Sequence, residues 1–157
     1  MVLTGGRLFL ALLLVDPALR IAPPVAAQTT TSGTEDKVAL LEAKAAADTS
    51  VCACTSFNNQ CQTDACPLDS WTPDTDPCGE GYDDQYGGWV GVICDVEGDS
   101  GRVVGVLLYD TGVGGELLPF FGRLGAMKYL RLYANPALSG DVADLTGATE
   151  LRELRLH

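Results

Sequence analysis

The sequence has few of the residues that enzymes use for acid–base and nucleophilic chemistry. It contains a single histidine, His157, at its last position. A Ser-His-Asp or Cys-His arrangement requires a histidine held beside the nucleophile. The glycine cluster Gly112-x-Gly114-Gly115 does not form a phosphate-binding loop, because it lies inside a repeated unit described below. These absences predict that the chain is not an enzyme and that it holds no metal or cofactor.

The sequence also lacks an apolar run long enough to cross a membrane. The run Leu8–Val15 has eight residues, which span ~12 Å as a helix, whereas the hydrocarbon core of a bilayer measures ~30 Å. Arg7 precedes this run and small residues ending in Ala26-Ala27 follow it, an arrangement typical of a secretory signal peptide. We therefore predict a signal peptide over 1–27 and a linker over 28–33. The protein is expected to be secreted or on the extracellular side of the plasma membrane, with no membrane contact within this chain.

Basic residues are scarce in the first half of the chain. Residues 35–100 carry 14 acidic and 2 basic side chains, a net charge of -12, whereas residues 101–157 carry six of each; the signal segment adds +1, which gives the total of -11. An acidic surface repels nucleic acid, so no nucleic-acid partner is expected. Five acids lie close together in one segment: Asp74, Asp76, Glu80, Asp83 and Asp84. Calcium is an alternative there, but the spacing of a calcium-binding loop is missing, so a solvated acidic loop is expected.

An alanine-rich segment after the linker predicts a helix. Ser32 or Thr34 is expected at its N-cap, and the acids that follow suit the positive end of the helix dipole. Val38, Leu41 and Ala45 recur at spacings of three and four, which predicts one apolar stripe. The helix is expected to end near Asp48.

From Val103 onward the sequence repeats at a fixed interval of two dozen positions. Val106 and Leu108 recur one interval later as Leu130 and Leu132, and after a second interval as Leu154 and Leu156. The alternation inside each unit predicts a short strand with one buried face. Because a single unit cannot bury its own apolar face, successive units are expected to stack, with their strands paired in parallel.

These residues resemble the plant-type leucine-rich-repeat family, whose unit reads approximately LxxLxxLxLxxNxLSGxIPxxLGx. The second unit matches this pattern as Met127-x-x-Leu130-x-Leu132-x-x-Asn135, followed by Leu138-Ser139-Gly140. The first unit has Thr111 at the asparagine position. Leu118 and Ala143 stand where the family has proline.

The segment before the repeats resembles the N-terminal cap of the same family. The matching motifs are Ala39–Lys44 (ALLEAK), Trp71, Asp76-Pro77-Cys78 and Trp89–Cys94 (WVGVIC). The resemblance covers about residues 35–50 and 68–157. It implies an α/β fold: a right-handed leucine-rich-repeat solenoid with a parallel β-sheet and a helical, disulfide-rich N-terminal cap. The cap would occupy 34–101, including a cysteine-rich insert, and truncated repeats would occupy 102–157.

All six cysteines follow the predicted signal peptide, and an even number in an oxidising compartment predicts disulfides. The cap resemblance implies a Cys78–Cys94 bond. The other four, Cys52, Cys54, Cys61 and Cys66, are expected to pair among themselves, and a Cys52–Cys54 bond has poor geometry. Two connectivities stay open: Cys52–Cys61 with Cys54–Cys66, or Cys52–Cys66 with Cys54–Cys61.

In each predicted strand the residues between the leucines should face outward and form columns across the sheet. Three columns follow: Tyr109, Tyr133 and His157; Leu107, Arg131 and Arg155; Gly105, Tyr129 and Glu153. Tyrosine is also a common strand residue, but tyrosine and arginine are enriched at binding hot spots. The predicted ligand-binding residues are Tyr109, Tyr129, Arg131, Tyr133, Arg155 and His157.

These residues predict an extracellular recognition module that presents a concave surface to a protein, peptide or glycan ligand. The family resemblance implies two more specific alternatives. One is the N-terminal part of a receptor-like kinase ectodomain with a signalling role. The other is a secreted inhibitor of wall-degrading enzymes.

Overall fold

A computed structural model describes residues 30–53, 65–79, 88–95 and 101–156. The predicted signal peptide, Cys54, Cys61 and His157 lie outside the described residues, as do three acids of the acidic loop, Glu80, Asp83 and Asp84. Within the described part of the chain, no helix is both long and apolar enough to cross a membrane.

The chain forms two helices, two 3₁₀ turns and seven short strands within the described ranges. The helices are α1 (Thr30–Ala46) and α2 (Leu118–Phe121), and the 3₁₀ turns are Pro67–Ser70 and Val142–Gly147. The strands are β1 (Ala47–Asp48), β2 (Val92–Cys94), β3 (Val103–Leu107), β4 (Gly114–Glu116), β5 (Tyr129–Arg131), β6 (Leu138–Ser139) and β7 (Glu153–Arg155). The fold is therefore mixed α/β.

The strands form two sheets. One has the order β2-β3-β5-β7, in which β3, β5 and β7 are parallel and β2 joins the edge antiparallel to β3. The register pairs Val106 with Leu130 and Leu130 with Leu154, so paired residues are separated by one repeat interval of the sequence. The other sheet has the order β1-β4-β6 and forms although Leu118 and Ala143 replace the family's prolines.

The inward side chains of the repeats form the core. Val106, Leu108, Leu130 and Leu132 are fully buried, as the alternation predicted. Leu154 is 37% exposed, because β7 has a neighbouring strand on one side only among the described residues. Burial thus follows the predicted pattern and weakens at the last strand.

A buried polar contact joins the turns that follow β3 and β5. The Asn135 Oδ1 atom accepts hydrogen bonds from the Thr111 N–H (3.1 Å) and the Thr111 hydroxyl (3.2 Å). The Asn135 side-chain amide donates to the carbonyl oxygens of Leu108 and Leu132. Thr111 and Asn135 together therefore provide hydrogen-bond partners for the backbone groups of two successive turns. Thr111 stands at the asparagine position of the first unit, and its backbone N–H is still hydrogen-bonded.

Helix α1 begins at Thr30, earlier than either predicted N-cap, and so includes residues 30–33 of the predicted linker. Of the predicted apolar stripe only Leu41 packs against the core, where it is half-buried; Val38 is 40% exposed and Ala45 is also exposed. The buried stripe consists of Asp36, Ala39, Leu40 and Ala43. It follows the spacing i, i+3, i+4, i+7 of a helix face, but it begins with an acid.

Asp36 is buried where the cap helix contacts the start of β3, the first strand of the repeats. Its carboxylate accepts two hydrogen bonds from Arg102, at 2.8 and 3.1 Å, and a third from the Val103 N–H at 3.0 Å. Its position in the first part of the helix suggested an interaction with the helix dipole, whereas its structural role is to hold the start of β3.

Two stacked tryptophans, together with the two disulfides among the described residues, stabilise the cap. The Trp71 and Trp89 rings are stacked with centroids 5.7 Å apart, and both are fully buried. The Cys78–Cys94 bond is present, as the family resemblance implied. Cys52 pairs with Cys66, which excludes the alternative with Cys52–Cys61.

Candidate binding face

The candidate site is the face of the β3-β5-β7 sheet that points away from the core, which we call the outward face. Its residues are Gly105, Leu107, Tyr109, Tyr129, Arg131, Tyr133, Glu153 and Arg155. The strand register aligns Gly105 with Tyr129 and Glu153, and Leu107 with Arg131 and Arg155. Two of the three predicted columns are therefore present in full, and the third is described as far as Tyr133.

Tyr109 and Tyr133 form a stacked pair. Their ring centroids are 4.9 Å apart and their planes differ by 5°. The backbones are bonded at the same point, since the Asp110 N–H donates to the Tyr133 carbonyl oxygen at 3.0 Å. Both tyrosines are half-buried, so the pair forms a fixed aromatic surface at the carboxyl end of the strands.

Arg131 and Arg155 are joined through Glu153. Arg131 donates from Nε to Oε1 (2.8 Å) and from Nη2 to Oε2 (3.0 Å) of Glu153, a bidentate ion pair. Arg155 Nε lies 2.7 Å from the same Oε1. This cluster holds two guanidinium groups against one carboxylate, which leaves one net positive charge on the outward face of an otherwise acidic protein.

The ion-pair cluster shifts the pKa values of its members in opposite directions. The hydrogen bond from Arg131 is the largest cause that lowers the pKa of Glu153, and the nearby charges of Arg131 and Arg155 add to it. The hydrogen bond to Glu153 raises the pKa of Arg131. The Arg131–Glu153 pair therefore stays charged at neutral pH.

Tyr129 and Leu107 differ in exposure on the outward face. Tyr129 is 37% exposed, while Leu107 is only 5% exposed. Leu107 lies in its predicted column beside Arg131 but is almost fully buried, and β3 has a neighbouring strand on each side. Gly105 has no side chain, and a Cβ atom there would lie 3.2 Å from Ile93 Cδ1 and 3.4 Å from Tyr129 Cβ. Glycine thus lets Ile93 and Tyr129 approach each other across β3.

The arrangement has the chemistry of a recognition surface. It offers aromatic rings, phenol hydroxyls and guanidinium groups on short strands whose backbones are hydrogen-bonded. No group of three or more histidine, cysteine, aspartate or glutamate residues that could hold a metal ion occurs in the described ranges. In the acidic loop, the Asp76 carboxylate accepts a hydrogen bond from the Cys78 N–H at 2.8 Å, as in a turn.

The sequence predicts Glu153 in an outward column but not among the ligand-binding residues. Its contact with Arg131, which crosses from one column to the next, was not predicted. A signal was present, because residues diagonal to each other on neighbouring strands are within reach of long side chains. The opposite charges at positions 131 and 153 could have revealed the pair.

Comparison with known proteins supports the fold. The chain is similar to the crystal structure of the LRR ectodomain of the Arabidopsis receptor kinase HAESA, solved in complex with an extended IDA peptide hormone ligand. The TM-score is 0.52 and the sequence identity is 23%, over 80% of this chain and 17% of that one. No family profile and no curated protein matches the chain. The similarity therefore concerns the fold, and this chain spans about a sixth of that ectodomain.

Proposed function

We propose that this chain is an extracellular recognition module, the capped N-terminal part of a right-handed leucine-rich-repeat solenoid. Its outward face binds a protein, peptide or glycan ligand, and the chain performs no catalysis. Tyr109, Tyr129, Arg131, Tyr133 and Arg155 supply the contacts. His157, the next residue in the tyrosine column by sequence, is assigned to the same surface.

The observation that carries this proposal is the fixed tyrosine–arginine surface. Binding hot spots are enriched in tyrosine and arginine, partly because these side chains bury large areas while keeping polar groups for hydrogen bonds. The Tyr109–Tyr133 stack and the Arg131–Glu153 ion pair hold such groups in place before a ligand arrives. Groups fixed in advance lose less conformational entropy on binding.

The fold comparison supports a peptide or protein ligand. The similar ectodomain was solved in complex with a peptide hormone ligand. The two described disulfides and the signal-peptide pattern support an extracellular location.

The test is a binding screen with a surface variant and a matched control. Wild type, Arg131→Ala with Tyr133→Ala, and Glu42→Ala with Arg123→Ala are each applied to peptide, secreted-protein and oligosaccharide arrays. The control pair removes an exposed ion pair between the cap helix and the segment after α2. For a ligand found with wild type, the Arg131/Tyr133 variant should bind about 30-fold more weakly, corresponding to a hot-spot loss of about 2 kcal/mol.

Two results would contradict the proposal. One is an affinity of the Arg131/Tyr133 variant equal to wild type for every ligand found. The other is an equal loss in the Glu42/Arg123 control, which would assign binding to another surface or to general destabilisation.

A second candidate is that the chain forms the N-terminal part of a receptor-like kinase ectodomain. The similar structure, itself a receptor kinase ectodomain, favours this candidate over a secreted inhibitor. Sequencing the complete transcript tests it: further repeats, a membrane span and kinase motifs downstream would support it. A stop codon directly after His157 would contradict it.

A further inference from the structure

The stacked Tyr109 and Tyr133 rings lie at the ends of neighbouring parallel strands because they occupy equivalent positions in successive units. Such strands run about 4.8 Å from each other, and the ring centroids are 4.9 Å apart with planes differing by 5°. The two rings therefore lie nearly parallel and close together at the ends of neighbouring strands. Both side chains are half-buried, so reagents in solution reach the rings while the strands hold them together.

We propose that Tyr109 and Tyr133 are a site of oxidative coupling, at which a peroxide-dependent one-electron oxidant joins the two rings by a covalent Cε–Cε bond. The proposal does not depend on the binding function. Its effect would be to link the ends of two successive strands covalently and to fix the aromatic part of the outward face.

The reaction balances with hydrogen peroxide as the oxidant. Each phenol gives up one electron and its hydroxyl proton, and the peroxide takes up both electrons and both protons to form two water molecules. The two phenoxyl radicals then pair their electrons in a bond between the Cε atoms. The hydrogen on each of these carbons moves to the oxygen, which restores two phenol rings. The product contains two hydrogen atoms fewer than the original pair.

Tyr129 provides a contrast within the same face. It is 37% exposed, but its neighbours in register are Gly105 and Glu153, so no second phenol faces it across the described strands. Exposure alone would favour oxidation of Tyr129, whereas coupling inside one molecule requires a partner ring. The geometry therefore points to the Tyr109–Tyr133 pair. The two disulfides are consistent with a compartment in which such oxidants occur.

The test uses hydrogen peroxide with a haem peroxidase on the folded, dilute protein. Tyr82→Phe and Tyr86→Phe are introduced first, so that only three tyrosines remain. Trypsin places these on separate peptides: Tyr109 on 103–123, Tyr129 on 129–131 and Tyr133 on 132–152. We expect dityrosine fluorescence, a monomer lighter by two hydrogen atoms, and a cross-link between 103–123 and 132–152.

Single substitutions in this background make the test specific. Tyr133→Phe and Tyr109→Phe keep the stacked rings but remove one phenol, and each should abolish the monomeric product. Tyr129→Phe should leave its yield unchanged. The proposal is overturned if Tyr129→Phe lowers the yield as much as Tyr133→Phe does. It is equally overturned if the cross-links are only between molecules, with a yield that rises with protein concentration.

Discussion

At the scale of single residues, Asp36 shows how a buried charge can organise a cap. A carboxylate is costly to bury unless it is paired with a cation and hydrogen-bonded. Here Arg102 and the Val103 N–H supply three hydrogen bonds. The cap helix can therefore turn an acid toward the core, and in doing so it fixes the start of β3.

Asp36→Ala should lower the free energy of unfolding by about 3 kcal/mol, because it leaves Arg102 and the Val103 N–H without their acceptor. Urea unfolding followed by circular dichroism measures this change. Glu35→Ala, at the adjacent exposed position, is the control and should stay within about 0.5 kcal/mol of wild type. Equal effects of the two substitutions would refute the role given to Asp36.

Glu153 gives a prediction for pH dependence. Its pKa is lowered in the folded protein, chiefly by the hydrogen bond from Arg131. A carboxylate with a lowered folded pKa contributes stability that is present above its unfolded pKa and is lost as the pH falls through its folded pKa. The ion-pair cluster should therefore persist to a pH below 4.5, the ordinary value for glutamate.

Carboxyl-carbon NMR titration measures this pKa directly. Wild type should give a midpoint for Glu153 below 4.5, and Arg131→Met should move it upward toward that value. An unchanged midpoint for Glu153 in the variant would show that the bidentate pair does not form in solution.

At the scale of elements, the Cys78–Cys94 disulfide joins the segment after the first 3₁₀ turn to β2. The bond closes a loop with a sequence separation of 16. Replacing both cysteines by alanine should lower the free energy of unfolding by about 3 kcal/mol, mainly by freeing the unfolded chain. A urea-unfolding midpoint equal to that of wild type would contradict a stabilising role for the bond.

Helix α1 shows where sequence patterns were insufficient. Its existence was predictable from its alanine content, but its buried face was not. The choice of Val38, Leu41 and Ala45 relied on apolar residues alone, whereas the true face includes Asp36. The distant partners Arg102 and Val103 make that burial favourable, and helical periodicity carries no information about partners 66 and 67 residues away.

The strands were predicted more successfully, because their pattern repeats. Leu130 and Leu132 are buried between equivalent residues of the adjacent units. The constant interval was therefore enough to predict both the register of the strands and which side chains point toward the core. The same rule gave the columns of the outward face. It did not give the burial of Leu107 or the diagonal contact of Glu153, since both depend on side-chain lengths in neighbouring strands.

At the scale of the whole molecule, equivalent residues of successive units lie side by side. The parallel register of β3, β5 and β7 produces the core on one side and the tyrosine–arginine surface on the other. The cap covers the first strand through β2, Asp36 and the two tryptophans. The proposals of ligand binding and of oxidative coupling both rest on this single arrangement.

A nuclear Overhauser spectrum of the protein with methyl and aromatic labelling tests this arrangement most directly. The account predicts cross-peaks from Leu130 methyls to those of both Val106 and Leu154, and between the rings of Tyr109 and Tyr133. Contacts of Leu130 with neither residue, together with rings that show no cross-peak, would contradict it.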